Sequence, residues 1–552
     1  MNRHQKPSIR YRAGLSRMLA LDNSSSGLHA AEHSVLLEHA DVVKANDHMA
    51  RPAAILCLAA AAIGLYFVAH LFSRRHRQLA QFPGPRWAAH TRLWLARVVN
   101  SGRSPYTFVD VSKKYGPMAR IGPNHLLTSD PDFVRHILSA HSRYTRGPWY
   151  DSMRIDPHSP NIVSERSVQK HHKLRYQMSA GYAGKDIEGV EAAVDERLMH
   201  FIDKIEERWV SKPGSTEIFD IARRIQFLTL DMISQLCFGR SLGFVEADND
   251  AFEFQATVEF QMPIVNLFSV MVELSRLYEI LSGIPFIRKV IVPSAGDKFG
   301  VGPIMAISRE VINERLAEGG KQKKDMLGSF LKRGLTPDEV EMEVSISLIA
   351  GSDTTATAMR AILLAIISNP RVYSRLVREI DDAIAAGKVS SPIRDDEARK
   401  LPYLQAVIKE GLRRFSPITQ LRERVVPPQG DSFNGQFIPG GTFIGINSWT
   451  IQCNPIYGED PEVFRPERWL IDDEERLRQM TYNHELIFGW GTTRCLGVPI
   501  ALMNLNKLFV ELLRRYDIET INPHKPWHSE CYGIFFQRDF NVRISHRQAG
   551  ST

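Results

Sequence analysis

From Thr336-Pro337-Asp338-Glu339 to Asn369-Pro370 the chain reads as a single helix. The opening four residues form a capping box with proline at the first helical position, and the closing Asn-Pro marks its end. Roughly 32 residues at 1.5 Å each make a rod of ~48 Å. It is apolar over most of its length, and a helix that is apolar on most sides is a buried one. Its middle breaks the pattern: Ala350-Gly351-Ser352-Asp353-Thr354-Thr355 sets small residues, an acid and hydroxyls inside the run. Glycine costs about 1 kcal/mol against alanine there, and a threonine hydroxyl can bond back to the carbonyl four residues earlier and bend the axis. Such a segment is either a locally polar helix face or a groove built for chemistry.

Composition narrows the classes. With 43% apolar residues, 36 Gly and 30 Pro in 552, the chain is neither disordered, collagenous nor of low complexity. Five cysteines (Cys57, Cys237, Cys453, Cys495 and Cys531) are too few for a disulfide scaffold, and none forms a C-x-x-C pair. The net charge of +7 is concentrated in residues 49–88, where Arg51, Arg74, Arg75, Arg77 and Arg86 stand without any acid. The remainder is nearly balanced and lacks the basic face a phosphate backbone requires, so nucleic acid is not expected as a partner.

Pro52 to Phe72 carries no Asp, Glu, Lys or Arg and is long enough to span a bilayer. The alternatives are a buried core helix or a cleaved signal sequence, but the run exceeds the usual signal length and no convincing cleavage site follows. A single N-terminal transmembrane helix over residues 49–73 is therefore expected. Arg74, Arg75 and Arg77 outweigh the basic residues on the other side, which places the C-terminal body in the cytosol and the arginines against membrane lipid. Residues 1–48 form a polar extension that a start at Met49 would remove. Its sequon at Asn23 is a candidate glycosylation site or a chance match. Residues 74–88 form a basic, Pro-rich hinge through Phe82-Pro83-Gly84-Pro85-Arg86, and residues 89–552 form the body.

The segment Phe488-Gly489-Trp490-Gly491-Thr492-Thr493-Arg494-Cys495-Leu496-Gly497 carries the chemistry. A dinucleotide loop is excluded, because its sixth position is Arg494 rather than Gly. Glycines admit backbone close to a flat ligand, and amides near the start of the following helix-like run, Ile500 to Arg515, can donate to a thiolate. One lone cysteine cannot build a zinc site, but it can be an axial ligand of haem iron. Further upstream, Glu410-Gly411-Leu412-Arg413 places acid and base on one helix face, and His171 and Arg175 in His171-His172-Lys173-Leu174-Arg175 share another.

Taken in order, these motifs resemble the cytochrome P450 family over about residues 80–545. The resemblance implies a mainly α fold with a small β region behind the membrane anchor, and haem b held by Cys495 as iron ligand. Phe488, Gly489, Gly491 and Gly497 would shape the haem loop, and His171, Arg175 and Arg424 would grip its propionates. Ala350 and Gly351 would leave room for dioxygen, while Asp353 and Thr354 would be the acid-alcohol pair that delivers protons. Glu410, Arg413 and Arg468, the last within Phe464-Arg465-Pro466-Glu467-Arg468-Trp469, would form the structural cluster of the family, with Trp469 replacing the usual Phe. One position departs: the family commonly has Arg two residues before the cysteine, and this chain has Thr493. The propionate role is therefore not carried to Arg494, which is expected at the surface where an electron donor docks.

Looser likenesses, including Asp325–Phe330 and Asn504–Arg515, point to fungal members of the pisatin-demethylase-like group. They imply a membrane-anchored enzyme of the endoplasmic reticulum that takes NADPH-derived electrons from cytochrome P450 reductase, with cytochrome b5 as an optional second carrier. Its substrates would be O2 and a hydrophobic small molecule of secondary metabolism. The expected pocket segments are residues 142–164, Ala350 with its helix neighbours, residues 417–420 and residues 533–536. A non-oxygenating haem-thiolate isomerase or dehydratase would not need the acid-alcohol pair, and a membrane-tethered haem sensor would not need turnover.

Overall fold

Residues 74–317 and 324–547 are described by the computed structural model. The expected extension, membrane segment and Asn23 sequon lie outside them; among the described residues no helix is long and apolar enough to cross a membrane. Six helices carry the argument: α1 (Val168–Tyr182), α2 (Ile221–Phe238), α3 (Phe254–Val270), α4 (Pro337–Ile367), α5 (Pro402–Arg414) and α6 (Val498–Leu513). Helix α4 is the long rod of the sequence at 31 residues, and its capping box is formed: the Thr336 hydroxyl accepts from Glu339 N–H, and the Glu339 carboxylate accepts from Thr336 N–H.

Helices α2, α5 and α6 pack against α4. Two glycines set how closely. A Cβ on Gly351 would lie 3.0 Å from Cγ1 of Ile233 on α2, and one on Gly411 of α5 only 2.2 Å from Cγ1 of Ile362 on α4. Leu348, Ile362, Val407, Leu508 and Phe509 join these helices in one dry core.

The small β region is headed by a five-stranded sheet of β1 (Met118–Gly122), β2 (His125–Thr128), β3 (Thr145–Arg146), β4 (Arg424–Val425) and β5 (Phe443–Ile446), in the spatial order β1-β2-β5-β4-β3. Only β2 and β5 run parallel. The β3–β4 register sets Arg146 directly opposite Arg424. Like charges in that relation are unfavourable unless an anion lies between or beside them. The Pro-rich hinge is seated on β1: Phe82 is buried, Pro83 O accepts from Arg120 N–H at 2.8 Å, and a Cβ on Gly84 would stand 2.0 Å from Arg120 O.

Candidate active site

The cysteine loop is built from turns that need glycine. Gly489 and Gly491 have φ of 77° and 60°, and a Cβ at Gly491 would fall 2.2 Å from Leu138 O. The turn closes when Cys495 N–H donates to Phe488 O at 2.7 Å, and Gly497 then caps α6, which starts at Val498 rather than at Ile500. Cys495 is solvent-accessible, but its access is to an internal cavity of about 800 Å³, with protein packed on its other sides. That burial pushes the thiol up, while the amide of Gly497, the Arg175 guanidinium and the amide of Val498 pull it back. The sulfur is thus presented to the cavity with donors already aimed at it.

A second wall of the cavity is cationic. His171 and Arg175 of α1 both reach it, as does Arg424 of β4. Arg175 Nη1 also donates to Arg494 O at 2.6 Å, which ties α1 to the cysteine loop. Sequence reasoning missed Arg146, which also lines this wall. Its Nη2 donates to His171 Nε2 at 2.9 Å, and its Nη1 serves the carbonyls of Ile162, Val163 and Glu165. Because guanidinium only donates, His171 accepts there and is neutral; burial, then Arg146 and Arg175, hold it down to about 3. Tyr150 lies against both Arg146 and Arg424, at 4.8 and 5.2 Å from its ring. Burial raises its hydroxyl, but Arg424 and Arg146 outweigh that and bring it below its ordinary range. Among the described residues, none of Arg146, Arg175 and Arg424 has a carboxylate in an ion pair.

Thr354 of α4 faces the cavity, and its hydroxyl donates back to Ala350 O at 2.8 Å, the bond expected of a threonine inside a helix. Asp353 turns away from it. It is buried against α2, where Gln226 Nε2 donates to its Oδ1 at 2.7 Å. Burial lifts its acid to about 7, against the lowering by Arg360 and the Gln226 bond. Ala350 and Gly351 line the cavity as expected, although Gly351 also serves the close approach of α2.

Glu410 forms the structural cluster. Arg413 grips it through Nε and Nη2, both at 2.8 Å, and Arg468 Nε adds a third bond at 2.9 Å. Trp469 is more than a replacement for phenylalanine, since its indole N–H donates to Glu410 Oε2 at 3.0 Å. The expected pocket segments contribute Met153, Ile162, Ile418, Gln420 and Ile534. Further walls come from α2, α3 and residues 275–301, which carry no motif, and from the start of α6. Arg494 is exposed and lines the cavity beside the cysteine.

The family model of cytochrome P450 matches residues 82–539. The chain belongs to the cytochrome P450 family. Its curated relatives include the cytochrome P450 monooxygenase ABA1 of Pyricularia oryzae, 38% identical over 88% of this chain and 96% of its own length. Others are aba1 of Botryotinia fuckeliana, 36% identical over 85% and 92%, and gsfF of Penicillium aethiopicum, 30% identical over 86% and 94%. This P450 is accordingly a monooxygenase. The residues fit the haem that the family implies: an accessible thiol and three guanidiniums without carboxylates share one cavity, as a dianionic macrocycle with a thiolate ligand requires.

Proposed function

We propose that this monooxygenase oxidises a hydrophobic small molecule of fungal secondary metabolism, with Cys495 as the haem-iron ligand. The observation that carries this reading is the presence of Cys495, Thr354 and the cationic wall in one largely apolar cavity. Thiolate-held haem, when bound, supplies oxygen activation: two electrons and two protons cleave O2, placing one oxygen atom in the substrate and the other in water. The chain does the rest. Amides of Gly497 and Val498 steady the sulfur, and Arg146, Arg175 and Arg424 neutralise the carboxylates of the macrocycle. The Thr354 hydroxyl, donating to Ala350 O, keeps its lone pairs free to take and pass a proton within the cavity. Asp353 stores the proton behind it. Apolar side chains such as Ile233, Val265 and Ile349 exclude water and orient the substrate.

The Pro52–Phe72 run supports single-pass anchoring in the endoplasmic reticulum with the catalytic body in the cytosol. Lys170, His172, Lys173 and Arg494 are exposed where α1 meets the cysteine loop, which supports docking of an acidic electron donor such as NADPH-cytochrome P450 reductase, with cytochrome b5 as an optional second carrier. The test is the reduced, carbon monoxide-bound spectrum of the expressed protein. A thiolate-type Soret band is expected, and Cys495→Ala should abolish it; its absence in the wild type would sink the assignment. Microsomes supplied with NADPH and fungal metabolite extracts, read by mass shifts of one oxygen or two hydrogens, should then identify the substrate. With that substrate, Thr354→Ala is expected to divert reducing equivalents to peroxide several-fold, and unchanged coupling would count against its proton-handling role.

A further inference from the structure

Behind the proton-handling segment lies a buried polar device that the known reaction does not by itself require. Arg360 of α4 is buried; its Nε donates to Ala222 O at 2.8 Å and its Nη2 to Gln226 Oε1 at 2.6 Å. A guanidinium has donors only, so this contact fixes the polarity of the Gln226 amide: carbonyl toward Arg360, NH2 toward Asp353. The amide then donates to Asp353 Oδ1 at 2.7 Å, while Asp353 Oδ2 has no protein partner. A buried cation is thus linked to a buried acid through a neutral amide rather than by direct ion pairing. A direct guanidinium–carboxylate pair would lock the acid in its charged form, and an isolated carboxyl in the same apolar surroundings would stay neutral.

The other charged groups around the acid are few. Glu259 of α3 acts on both Asp353 and Arg360, and is itself faced by Arg538 at 3.6 Å; Arg538 in turn pairs with Glu530 at 2.9 Å. Asp220, at the start of α2, acts on Arg360. Neither Glu259 nor Asp220 hydrogen-bonds to Asp353, so Gln226 is its one side-chain partner among the described residues.

We propose that Gln226 and Arg360 are positioning residues for Asp353: the arginine orients the amide, and the amide holds the carboxyl so that it can both release and regain a proton under cellular conditions. The proposal rests on the reading of Asp353 as the acid behind Thr354, and it deepens that reading. It predicts that loss of either partner weakens the ionised form and leaves Asp353 protonated over a wider range.

The experiment is an infrared pH titration of the haem-loaded full chain without substrate. The carbonyl stretch of the protonated Asp353 is assigned by its loss in Asp353→Asn. In the wild type it should titrate near neutrality. Gln226→Leu and Arg360→Met should each move the midpoint upward by about one pH unit or more, and Arg360→Lys, which keeps the cation, should recover part of that rise. A purely structural role would lower stability without moving the midpoint. A midpoint that is unchanged or lower in Gln226→Leu overturns the proposal; this near-isosteric variant decides the matter even if Arg360→Met fails to load haem. The role of Asp353 itself is read separately, from peroxide release by Asp353→Asn during turnover. Unchanged release there would remove the acid from the mechanism whatever the titration shows.

Discussion

At the scale of single residues, environment decides what each side chain can do. Asp353 and Thr354 are neighbours in sequence, yet one is buried against α2 and the other faces the cavity. Helical geometry explains this, since adjacent positions point about 100° apart. The raised acid of Asp353 has a consequence for stability. Its folded value of about 7 lies above the ordinary value near 4, so the folded state binds the proton more tightly between those limits. Its contribution is therefore most favourable below about pH 4 and declines as pH rises to about 7. Asp353→Asn removes that dependence. The variant should gain on the wild type between pH 4 and 8, by on the order of 4 kcal/mol at most, in denaturant midpoints measured across that range. Parallel profiles for the two proteins would contradict the assignment.

At the scale of elements, the α5 pair and the loop that brings Arg468 and Trp469 form a unit around one carboxylate. Glu410 is fully buried and accepts from Arg413, Arg468, the Trp469 indole and the backbone N–H of Arg465. Glu410→Ala would leave two guanidiniums buried without a counter-charge and is expected to cost about 3–5 kcal/mol. Trp469→Phe removes one charge-assisted bond and leaves the rest, so a loss of about 1.5–3 kcal/mol is expected. Urea unfolding of the two variants should preserve that order; a Trp469→Phe variant as stable as the wild type would show that the indole N–H adds nothing. The E-x-x-R spacing and the later Arg468 were legible because each is a local pattern. The bond from Trp469 was not, because a motif specifies an aromatic ring at that place and says nothing of where an indole nitrogen points.

At the scale of the molecule, the cationic wall couples folding to cofactor. Arg146 on β3 faces Arg424 on β4 across a register that only the assembled sheet creates, and His171 arrives from α1. Without a dianionic partner, this convergence is repulsive, and binding it is favourable in proportion. Arg146→Met should therefore lower haem affinity and narrow the gap between the thermal midpoints of the haem-depleted and loaded forms. A variant whose two midpoints fall together would show that Arg146 is only a packing residue.

The sequence alone determined whatever rests on neighbours along the chain. Residue spacing revealed the capped 31-residue helix, the glycine turns around Cys495, the i,i+3 pair of Glu410 and Arg413, and the shared face of His171 and Arg175. Those features depend on backbone periodicity and on φ values that few residues tolerate, so they are written locally. Tertiary structure alone decided that Arg146 joins Arg424, that Gln226 stands between Arg360 and Asp353, and which faces of α2 and α3 complete the cavity. Those are contacts between residues far apart in the chain. They exist because apolar burial brings helices and strands together, and the cost of burying polar groups then selects which of them must meet.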